Sequence, residues 1–131
     1  MKILGVGVDI VDNTRISKSL KNSLFVNRIF SNLEILSAKK IKGKNSYYSK
    51  RFAAKEAFVK SIGTGFRYNF NFKDISIIND KLGKPSFIIN DKIKKIVKKQ
   101  FKTSSFNFFL SISDEKKYSV AYVILQKNEN R

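Results

Sequence analysis

The chain contains no cysteine and no histidine among its 131 residues. Without cysteine it forms no disulfide framework and no thiolate metal site. Without histidine it lacks the most common acid–base and zinc-binding side chain. Any metal that this chain binds must therefore be held by oxygen atoms, which favours magnesium or another hard cation.

Long apolar runs are also missing. The most apolar stretch near the N-terminus, residues 3–11, is interrupted by Gly5, Gly7 and Asp9 and lacks a cleavage-like end. It matches neither a signal peptide nor a membrane span, so we expect a cytoplasmic protein with no membrane partner. No repeat, linker or low-complexity run divides the chain, and its length suits one core. We therefore expect a single domain over residues 1–131.

Acidic residues are scarce: 10 Asp and Glu stand against 27 Lys and Arg, which gives a formal net charge of +17. Such a balance predicts attraction to an acidic partner. Nucleic acid, an anionic membrane, a phosphate-rich cofactor and an acidic protein all meet this description. The alternative is a coding bias, because most of the excess is lysine in a chain that is also rich in asparagine and isoleucine.

The stretch RFAAKEAFVKSIGTG, residues 51–65, is typical of a helix that ends at a glycine. Ser46 is a suitable N-cap, the alanines favour helix, and Gly63 suits the position just past a helix end. These features predict a central helix over residues 46–62.

Two charged residues belong to the apolar side of this predicted helix. Helical spacing aligns Glu56 and Lys60 with Phe52, so both charges are expected on or beside the buried face. The alternative is an ordinary surface pair, because a glutamate four residues before a lysine stabilises many exposed helices by about 0.2–0.5 kcal/mol.

The N-terminal segment KILGVGVDIV alternates like a β-strand. Its two faces carry Val6, Val8 and Ile10 on one side and Gly5, Gly7, Asp9 and Val11 on the other. Asp9 is unusual, because an ionised carboxylate in an apolar strand is costly unless a cation or hydrogen-bond donors meet it. The alternative is an aspartate at a strand end that bonds nearby backbone. The Gly-x-Gly pattern lacks the third glycine of a dinucleotide-binding fold, which we reject.

One or two short helices are predicted between the first strand and the central helix. Ser31 and Glu34 have the spacing of a capping box, which predicts a further helix over about residues 32–40. Residues 39–45 then form a basic, glycine-containing loop. Such a loop is well placed to meet phosphate, although most loops of this kind are only solvated.

The C-terminal half combines short strands, one helix and a hairpin. FKDISIIN and PSFIIN predict two strands joined by a turn at residues 79–84. Asp91 is expected to cap an amphipathic helix with its lysines outward. FNFFLSIS and YSVAYVILQ predict a hairpin with its turn at residues 114–117, followed by a frayed tail at residues 127–131. The predicted architecture is α+β, with helices packed on a mostly antiparallel sheet.

Five segments resemble, in order and spacing, the holo-[acyl-carrier-protein] synthases, the small bacterial 4′-phosphopantetheinyl transferases. They are GVGVDIVDNTRI, RIFSNLE, RFAAKEAFVKSIGTG, GKP and LSIS, and the resemblance extends from Ile3 to about Ile124. It implies the fold of those transferases. It also implies a magnesium-dependent transfer of the 4′-phosphopantetheine arm of coenzyme A to a serine of apo acyl carrier protein, with release of 3′,5′-ADP.

The resemblance assigns roles to the unusual charged residues. Asp9 and Glu56 match the metal carboxylates of the family, which suits magnesium because that ion prefers few protein ligands. Lys60 matches the lysine that points at the transferred phosphate. Glu56 is also the candidate that accepts the proton of the serine hydroxyl, so Lys60 and Glu56 are the catalytic candidates.

The same resemblance places the two substrates. The candidates for binding coenzyme A are Arg51, Lys42 and Lys44 for its phosphates, Gly63, Thr64 and Gly65 for close backbone approach, and Gly83 and Pro85 of the GKP motif. The candidates for docking the acidic carrier protein are Arg15, Arg28, Lys18 and Lys21. Family members are typically homotrimers with the site between neighbouring subunits, a property on which the periodicity of this chain is silent.

One position departs from the family pattern. After the Ser-x-Ser of the penultimate strand the family usually has histidine, whereas this chain has Asp114. An ionised aspartate cannot donate a hydrogen bond to the 3′-phosphate of the cofactor. We therefore expect that contact to be absent, replaced by Lys116 or Lys117, or made by backbone, and we expect a weaker hold on coenzyme A.

Two other functions stay open on the sequence. A nucleic-acid-binding module would explain the basic charge and the interleaved aromatic residues, but it leaves Asp9 and Glu56 without a role. A non-catalytic relative that binds coenzyme A or a carrier without transfer would explain Asp114. The transferase is the leading interpretation, and under it no nucleic-acid partner is expected.

Overall fold

The computed structural model describes residues 2–129. Its elements, in chain order, are β1 Lys2–Asp12, α1 Asn13–Ser19, α2 Ser23–Ile29, α3 Asn32–Ala38, α4 Lys44–Ile62, β2 Ile77–Asn79, β3 Pro85–Phe87, α5 Asp91–Phe101, β4 Phe106–Asp114 and β5 Tyr118–Lys127. The predicted α+β class is confirmed. Within residues 2–129 every helix is too short or too polar to serve as a membrane span.

The main sheet has the strand order β1-β5-β4. Both of its strand pairs are antiparallel, as is the separate two-stranded pair of β2 and β3. Asp9 on β1 lies opposite Ala121 on β5, which in turn lies opposite Ile112 on β4. The predicted C-terminal hairpin is therefore confirmed, and the first strand joins its β5 edge.

Two glycines let α4 lie directly on β1. A Cβ added to Gly5 would stand 1.8 Å from the carbonyl oxygen of Ser61, and one added to Gly7 would stand 1.9 Å from that of Ala57. Neither position tolerates a side chain without moving backbone. Because residues two apart on a strand share a face, Asp9 points to the same side as these glycines. The close approach therefore brings Asp9 to the surface of α4.

The start of α4 differs from the prediction, whereas its end agrees. The N-cap is Gly43, in a left-handed conformation at φ 31°, and Ser46 lies inside the first turns. The Ser46 hydroxyl is committed elsewhere, since its Oγ donates to Asp114 Oδ2 at 3.0 Å. Gly63 ends the helix at φ 83°, which favours a residue without Cβ.

The single apolar stripe predicted for α4 is wrong, because the helix is buried on most of its circumference. Sheet residues cover one side, and α3 and the segment before β2 cover another. Its buried residues include Arg51 and Lys55 beside the alanines. A helix surrounded by other elements needs small or internally paired side chains on every face.

Other predicted boundaries shift by a few residues. One or two short helices were predicted before α3, and the structure has two, α1 and α2. The Ser31 capping box is confirmed at the start of α3, which ends at Ala38. Phe72–Asp74 forms a 3-10 turn instead of strand, because Asp74 Oδ2 accepts from the backbone N–H of Asn71 and bends the chain. The helix α5 is capped by Asn90, and Asp91 is its first residue.

The predicted frayed tail is wrong at Lys127. This residue pairs with Lys2 on one side and with Phe106 on the other, so it belongs to β5. The backbone N–H of Asn128 also donates to the Ser105 carbonyl at 3.1 Å. The last two residues of that predicted tail, 130 and 131, lie outside the described part of the chain.

The sheet face that points away from α4 is apolar and exposed. Its side chains include Val6, Val8, Ile10, Phe109 and Tyr122, each at least two-fifths accessible. Neighbouring strands place Val8 beside Tyr122. A contiguous apolar sheet face of this kind is typical of a surface that binds another protein chain.

Candidate active site

A cavity of about 390 Å³ opens between the C-terminal part of β1, the middle of α4 and helix α1. Its charged lining residues are Asp9, Asp12, Arg15, Glu56 and Lys60. Asp9, Glu56 and Lys60 come from segments about fifty residues apart in sequence. The structure thus brings together both predicted metal carboxylates and the predicted catalytic lysine.

The ion pair of Lys60 is formed with Asp9. Lys60 Nζ lies 3.1 Å from Asp9 Oδ1 and also donates to the Val8 carbonyl at 3.1 Å. The Asp9 side chain is 15% exposed, whereas that of Lys60 is 54% exposed. Of the partners that the sequence left open for this carboxylate, the structure supplies a cation, Lys60, which reaches Asp9 from the solvent side of the cavity.

Glu56 is half-buried one helical turn before Lys60. Burial raises the pKa of its carboxyl group above 4.5, and the charge of Asp9 raises that pKa further, while Lys60 opposes both effects. Burial first, and the neighbouring Asp9 charge second, therefore disfavour the ionised form of Glu56. A cation shared by the two carboxylates would lower that cost.

The two carboxylates of this cavity fit a hard divalent cation that is also coordinated by water or by substrate phosphate. Asp9 and Glu56 supply carboxylate oxygens in one cavity. Across residues 2–129 no cluster of three or more Asp, Glu, His or Cys side chains is arranged to hold a metal ion. Magnesium is commonly bound by one or two carboxylates together with water and substrate phosphate.

Arg15 reaches this cavity from the first turn of α1. The turn is organised by Asp12, whose Oδ1 accepts from the N–H groups of Thr14 at 2.8 Å and Arg15 at 3.4 Å. Lys18 and Lys21 continue the exposed basic surface along the chain, and Arg28 lies exposed in the last turn of α2. Of these four residues, Arg15 lines the cavity.

Comparison with known proteins decides the family. The family model of the 4′-phosphopantetheinyl transferase superfamily matches residues 5–123. The chain belongs to this superfamily. It is 79% identical over 127 residues to the holo-[acyl-carrier-protein] synthase of Pelagibacter ubique, a match that covers 97% of this chain and 99% of that protein. The family is therefore that of the holo-[acyl-carrier-protein] synthases.

Two solved structures of the family are similar to this fold. The crystal structure of holo-[acyl-carrier-protein] synthase from Neisseria meningitidis is 38% identical, with a TM-score of 0.86 and coverage of 96% of this chain and 100% of that one. The enzyme from Bacillus anthracis, solved in complex with CoA (3′,5′-ADP), is 36% identical, with a TM-score of 0.78 and coverage of 96% and 98%. The transferase fold implied by the sequence motifs is confirmed.

A second cavity, of about 420 Å³, lies on another side of α4, between that helix, α3 and β2. It is bordered by Gly43, Lys50, Arg51 and Asn79, among others. Arg51 and Glu56 are five residues apart on the helix, so their side chains leave it about 140° apart. The transferase candidates for the cofactor and for the metal thus face two different cavities of one subunit.

The candidate cofactor residues form two separate groups. Arg51 Nη2 donates to Asn79 Oδ1 at 2.6 Å, and Asn79 Nδ2 donates to the Gly83 carbonyl at 2.8 Å. Pro85 pairs with Asn79 across the strands, and Lys42 and Lys44 flank Gly43 at the rim. Gly63, Thr64 and Gly65 lie at the opposite end of α4, which is about 28 Å long. They border neither cavity.

Asp114 lies at the end of β4, where this chain departs from the transferase pattern. Its carboxylate accepts from the Ser46 hydroxyl and borders a polar hollow with Asn45, Glu115 and Lys116. The aspartate is therefore tied to the first turns of α4. Of the two lysines considered as replacements, Lys116 borders the hollow.

Sequence reasoning missed a buried ion pair beneath these residues. Lys55 Nζ lies 2.7 Å from Glu34 Oε1, and both side chains are fully buried. The ammonium also donates to the carbonyls of Phe72 and Ile75. The capping box identified Glu34, but only as a helix cap. The sequence feature that could have indicated the buried pair is the position of Lys55 directly after Ala53 and Ala54 in the apolar part of the predicted helix.

Proposed function

We propose that this protein transfers the 4′-phosphopantetheine arm of coenzyme A to a serine of apo acyl carrier protein, with release of 3′,5′-ADP. The observation that carries the proposal is the shared cavity of Asp9, Glu56 and Lys60. Two carboxylates for a hard cation and one ammonium for a phosphate are the groups that a phosphoryl-type displacement requires. Membership of the transferase family supports the same reaction.

The residues of the first cavity divide the work of the reaction. The serine oxygen attacks the phosphorus that bears the pantetheine arm, and the bond from that phosphorus to the oxygen of the departing 3′,5′-ADP breaks. Lys60 stabilises the charge that develops on the phosphate. Glu56 accepts the proton of the serine hydroxyl, because it is a carboxylate in the same cavity as Lys60.

Asp9 and Glu56 would hold magnesium. When bound, magnesium would neutralise phosphate charge and help to orient the reacting groups. The interaction of Lys60 with Asp9 keeps the lysine at the edge of this cavity. The chain therefore places its phosphate-binding ammonium beside its metal carboxylates.

The second cavity is proposed to receive the phosphates of the adenosine part of coenzyme A. Arg51 and Lys50 border it, and Lys42 and Lys44 flank Gly43 on its rim. Gly83 and Pro85 belong to the turn that Asn79 ties to Arg51. Guanidinium and ammonium groups on a half-open cavity suit a phosphate ligand.

We propose that the working enzyme is a homotrimer of single domains, each spanning residues 1–131, with sites between subunits. Two observations support it. The outer face of the main sheet is apolar and exposed. The proposed metal cavity and the proposed cofactor cavity also face different sides of α4, an arrangement that suits a ligand held between two subunits. The residues Gly63, Thr64 and Gly65 would then approach the cofactor from a neighbouring subunit.

The acidic carrier protein is proposed to dock on the exposed basic surface of α1 and α2. Arg15, Lys18, Lys21 and Arg28 are exposed there, and Arg15 also lines the metal cavity. A basic approach to the site would raise the association rate, and salt would weaken that effect. We also propose that the enzyme acts in the cytoplasm.

Intact-mass measurement tests the proposal directly. Apo acyl carrier protein is incubated with the enzyme, coenzyme A and magnesium, with a chelator control. We expect a gain of roughly 340 Da on the carrier, as for phosphopantetheine transfer, and loss of that gain on chelation. Asp9→Ala and Glu56→Ala should abolish the gain in folded protein. Binding of coenzyme A without transfer would instead identify a non-catalytic relative. If the protein neither binds coenzyme A nor transfers its arm, the proposal is overturned in favour of a nucleic-acid-binding module.

A further inference from the structure

Asn79 connects α4 to the turn between β2 and β3 through its side-chain amide. Its Oδ1 accepts from Arg51 Nη2 at 2.6 Å, and its Nδ2 donates to the Gly83 carbonyl at 2.8 Å. Asn79 itself is exposed at the end of β2. One neutral side chain thus connects two parts of the proposed cofactor site.

Arg51 is held on its remaining sides by an aromatic ring, by a carboxylate at salt-bridge distance and by a longer bond from Nη2 to the Ile77 carbonyl at 3.5 Å. Its guanidinium carbon lies 3.8 Å from the centre of the Tyr47 ring. The nearest carboxylate oxygen is Glu34 Oε2, which is 4.0 Å from Arg51 Nε. Among residues 2–129 the buried Nε has no hydrogen-bond partner. The guanidinium is therefore fixed in place, and the one carboxylate near it, Glu34, is shared with the Lys55 ammonium.

Glu34 is committed to other groups. Its Oε1 accepts from the Ser31 N–H at 3.0 Å and lies 2.7 Å from Lys55 Nζ, while its Oε2 accepts from the Ile77 N–H at 3.1 Å. Because Lys55 is the closer cation, the Glu34 charge is used mainly there. Arg51 is left with a neutral amide as its best-defined hydrogen-bond acceptor.

We propose that Asn79 is a positioning residue for coenzyme A: it orients the Arg51 guanidinium toward a phosphate group without neutralising it and links that group to the Gly83 turn. The inference rests on the proposed function of Arg51. A carboxylate at position 79 would also hold the guanidinium, but it would compete with the phosphate for the same charge. An aliphatic residue would remove the short bond to Nη2 and leave it only the longer one to the Ile77 carbonyl at 3.5 Å, so the guanidinium would be oriented less precisely.

The first test compares Asn79→Ala and Asn79→Asp with the wild-type enzyme. Asn79→Ala removes the hydrogen bond that orients the charged Arg51 guanidinium. Because Arg51 is proposed to bind coenzyme A and not to take part in the chemical step, we expect the KM for coenzyme A to rise about tenfold, with kcat within about twofold of the wild type. Asn79→Asp should raise that KM at least as much, although it preserves an acceptor for Arg51. Thermal unfolding checks that both variants remain folded. An unchanged KM in either folded variant would overturn the proposal.

A double-mutant cycle separates positioning from a merely structural role in the turn. Asn79→Ala should add little to the KM increase of Arg51→Ala, because the group to be positioned is already missing. Asp80→Ala is the matched control: Asp80 Oδ1 accepts from the N–H groups of Leu82 and Lys84 at 2.9 Å and organises the same turn, but it makes no bond to Arg51. Its effect should add fully to that of Arg51→Ala. Additivity for Asn79 would contradict the inference.

Isothermal titration with coenzyme A distinguishes the two levels of the proposal. A wild-type enzyme that neither binds coenzyme A nor transfers its arm would refute the proposed function. If the wild type binds and Arg51→Ala weakens binding while Asn79→Ala does not, only the inference about Asn79 is wrong. If Arg51→Ala leaves binding unchanged, Arg51 has no phosphate to bind, and the inference about Asn79 falls with it.

Discussion

Lys60 Nζ lies 3.1 Å from Asp9 Oδ1, so the proposed phosphate-binding ammonium is paired with a proposed metal carboxylate. A lysine and a divalent cation that share one carboxylate oppose each other electrostatically. Lys60 therefore has two expected effects, stabilisation of the phosphate charge and competition with the metal ion at Asp9. An activity measurement alone would not distinguish them.

Lys60→Met is expected to lower kcat by about 10²- to 10³-fold, the effect of losing one group that stabilises transition-state charge. The same substitution should tighten binding of Mn²⁺ used as a magnesium probe, because the competing cation is gone. Titration followed by electron paramagnetic resonance measures this affinity without turnover. Lys95→Met, which removes an exposed lysine from α5, is the matched control and should change neither quantity. Weaker Mn²⁺ binding in Lys60→Met would contradict competition at Asp9.

Glu56→Gln should stabilise the metal-free protein at neutral pH. The native pKa of Glu56 lies above 4.5, mainly because of burial and then because of Asp9. The native state therefore holds this proton more tightly than the unfolded state, and stability falls as the pH rises from 4.5 through the native pKa. In chelator, the melting temperature of Glu56→Gln should exceed that of the wild type at pH 7 and match it below about pH 4. Equal melting temperatures at pH 7 would contradict the expectation.

Magnesium should reverse this order. Added to the wild type at neutral pH, it should raise the melting temperature, because a ligand that binds only the native state stabilises it. Glu56→Gln retains one of the two carboxylates and should respond much less. A chelator-treated sample of each protein serves as the reference. An equal rise in melting temperature of both proteins on adding magnesium would argue against Glu56 as a ligand.

Gly7→Ala should destabilise the fold and reduce activity together. The added Cβ would meet the Ala57 carbonyl oxygen at 1.9 Å, so β1 or α4 must move, and Asp9 moves with the strand. Overpacking of this kind costs about 1–3 kcal/mol, which urea unfolding measures. Gly65→Ala provides a comparison: nothing lies within 4 Å of its added Cβ, and the cost there comes from its positive φ of 65°. A larger loss of stability in Gly65→Ala would contradict the packing argument.

The buried pair of Glu34 and Lys55 should matter most when only one partner is removed. Lys55→Met leaves a fully buried carboxylate without its closest cation and should cost about 3–5 kcal/mol of unfolding free energy. Glu34→Gln/Lys55→Met removes both charges and should recover much of that loss. Urea unfolding of the single and double variants measures both effects. A double variant that is less stable than Lys55→Met would show that the charges act independently.

Asp114→His is expected to lower the KM for coenzyme A, because an imidazole can donate to a phosphate where an ionised aspartate repels it. The substitution also releases Ser46, which now donates to Asp114 Oδ2 at 3.0 Å. Steady-state kinetics with varied coenzyme A gives the value. Glu115→His, one residue further along the same turn, controls for the change in net charge. An unchanged KM in Asp114→His would refute a weakened hold on the cofactor.

Local patterns in the sequence determined the helix ends that glycine and capping boxes specify. Gly63 ends α4 because its φ of 83° suits a residue without Cβ, and Ser31 with Glu34 begins α3 through reciprocal hydrogen bonds. Both depend on residues only three or four positions apart. The start of α4 at Lys44 was missed because its N-cap, Gly43, has no capping side chain, and because Ser46 bonds Asp114, 68 residues away, instead of capping the helix.

The sequence indicated that the carboxylate at position 9 needed a cation or hydrogen-bond donors, since an isolated charge in an apolar strand is costly. Only the tertiary structure decided that this cation is Lys60, because Gly5 and Gly7 allow α4 to contact β1 directly. The same packing set Arg51 against Asn79 and Lys55 against Glu34. Such pairs join segments that are distant along the chain. The periodicity of side chains within one helix or strand does not show which other element that helix or strand will contact.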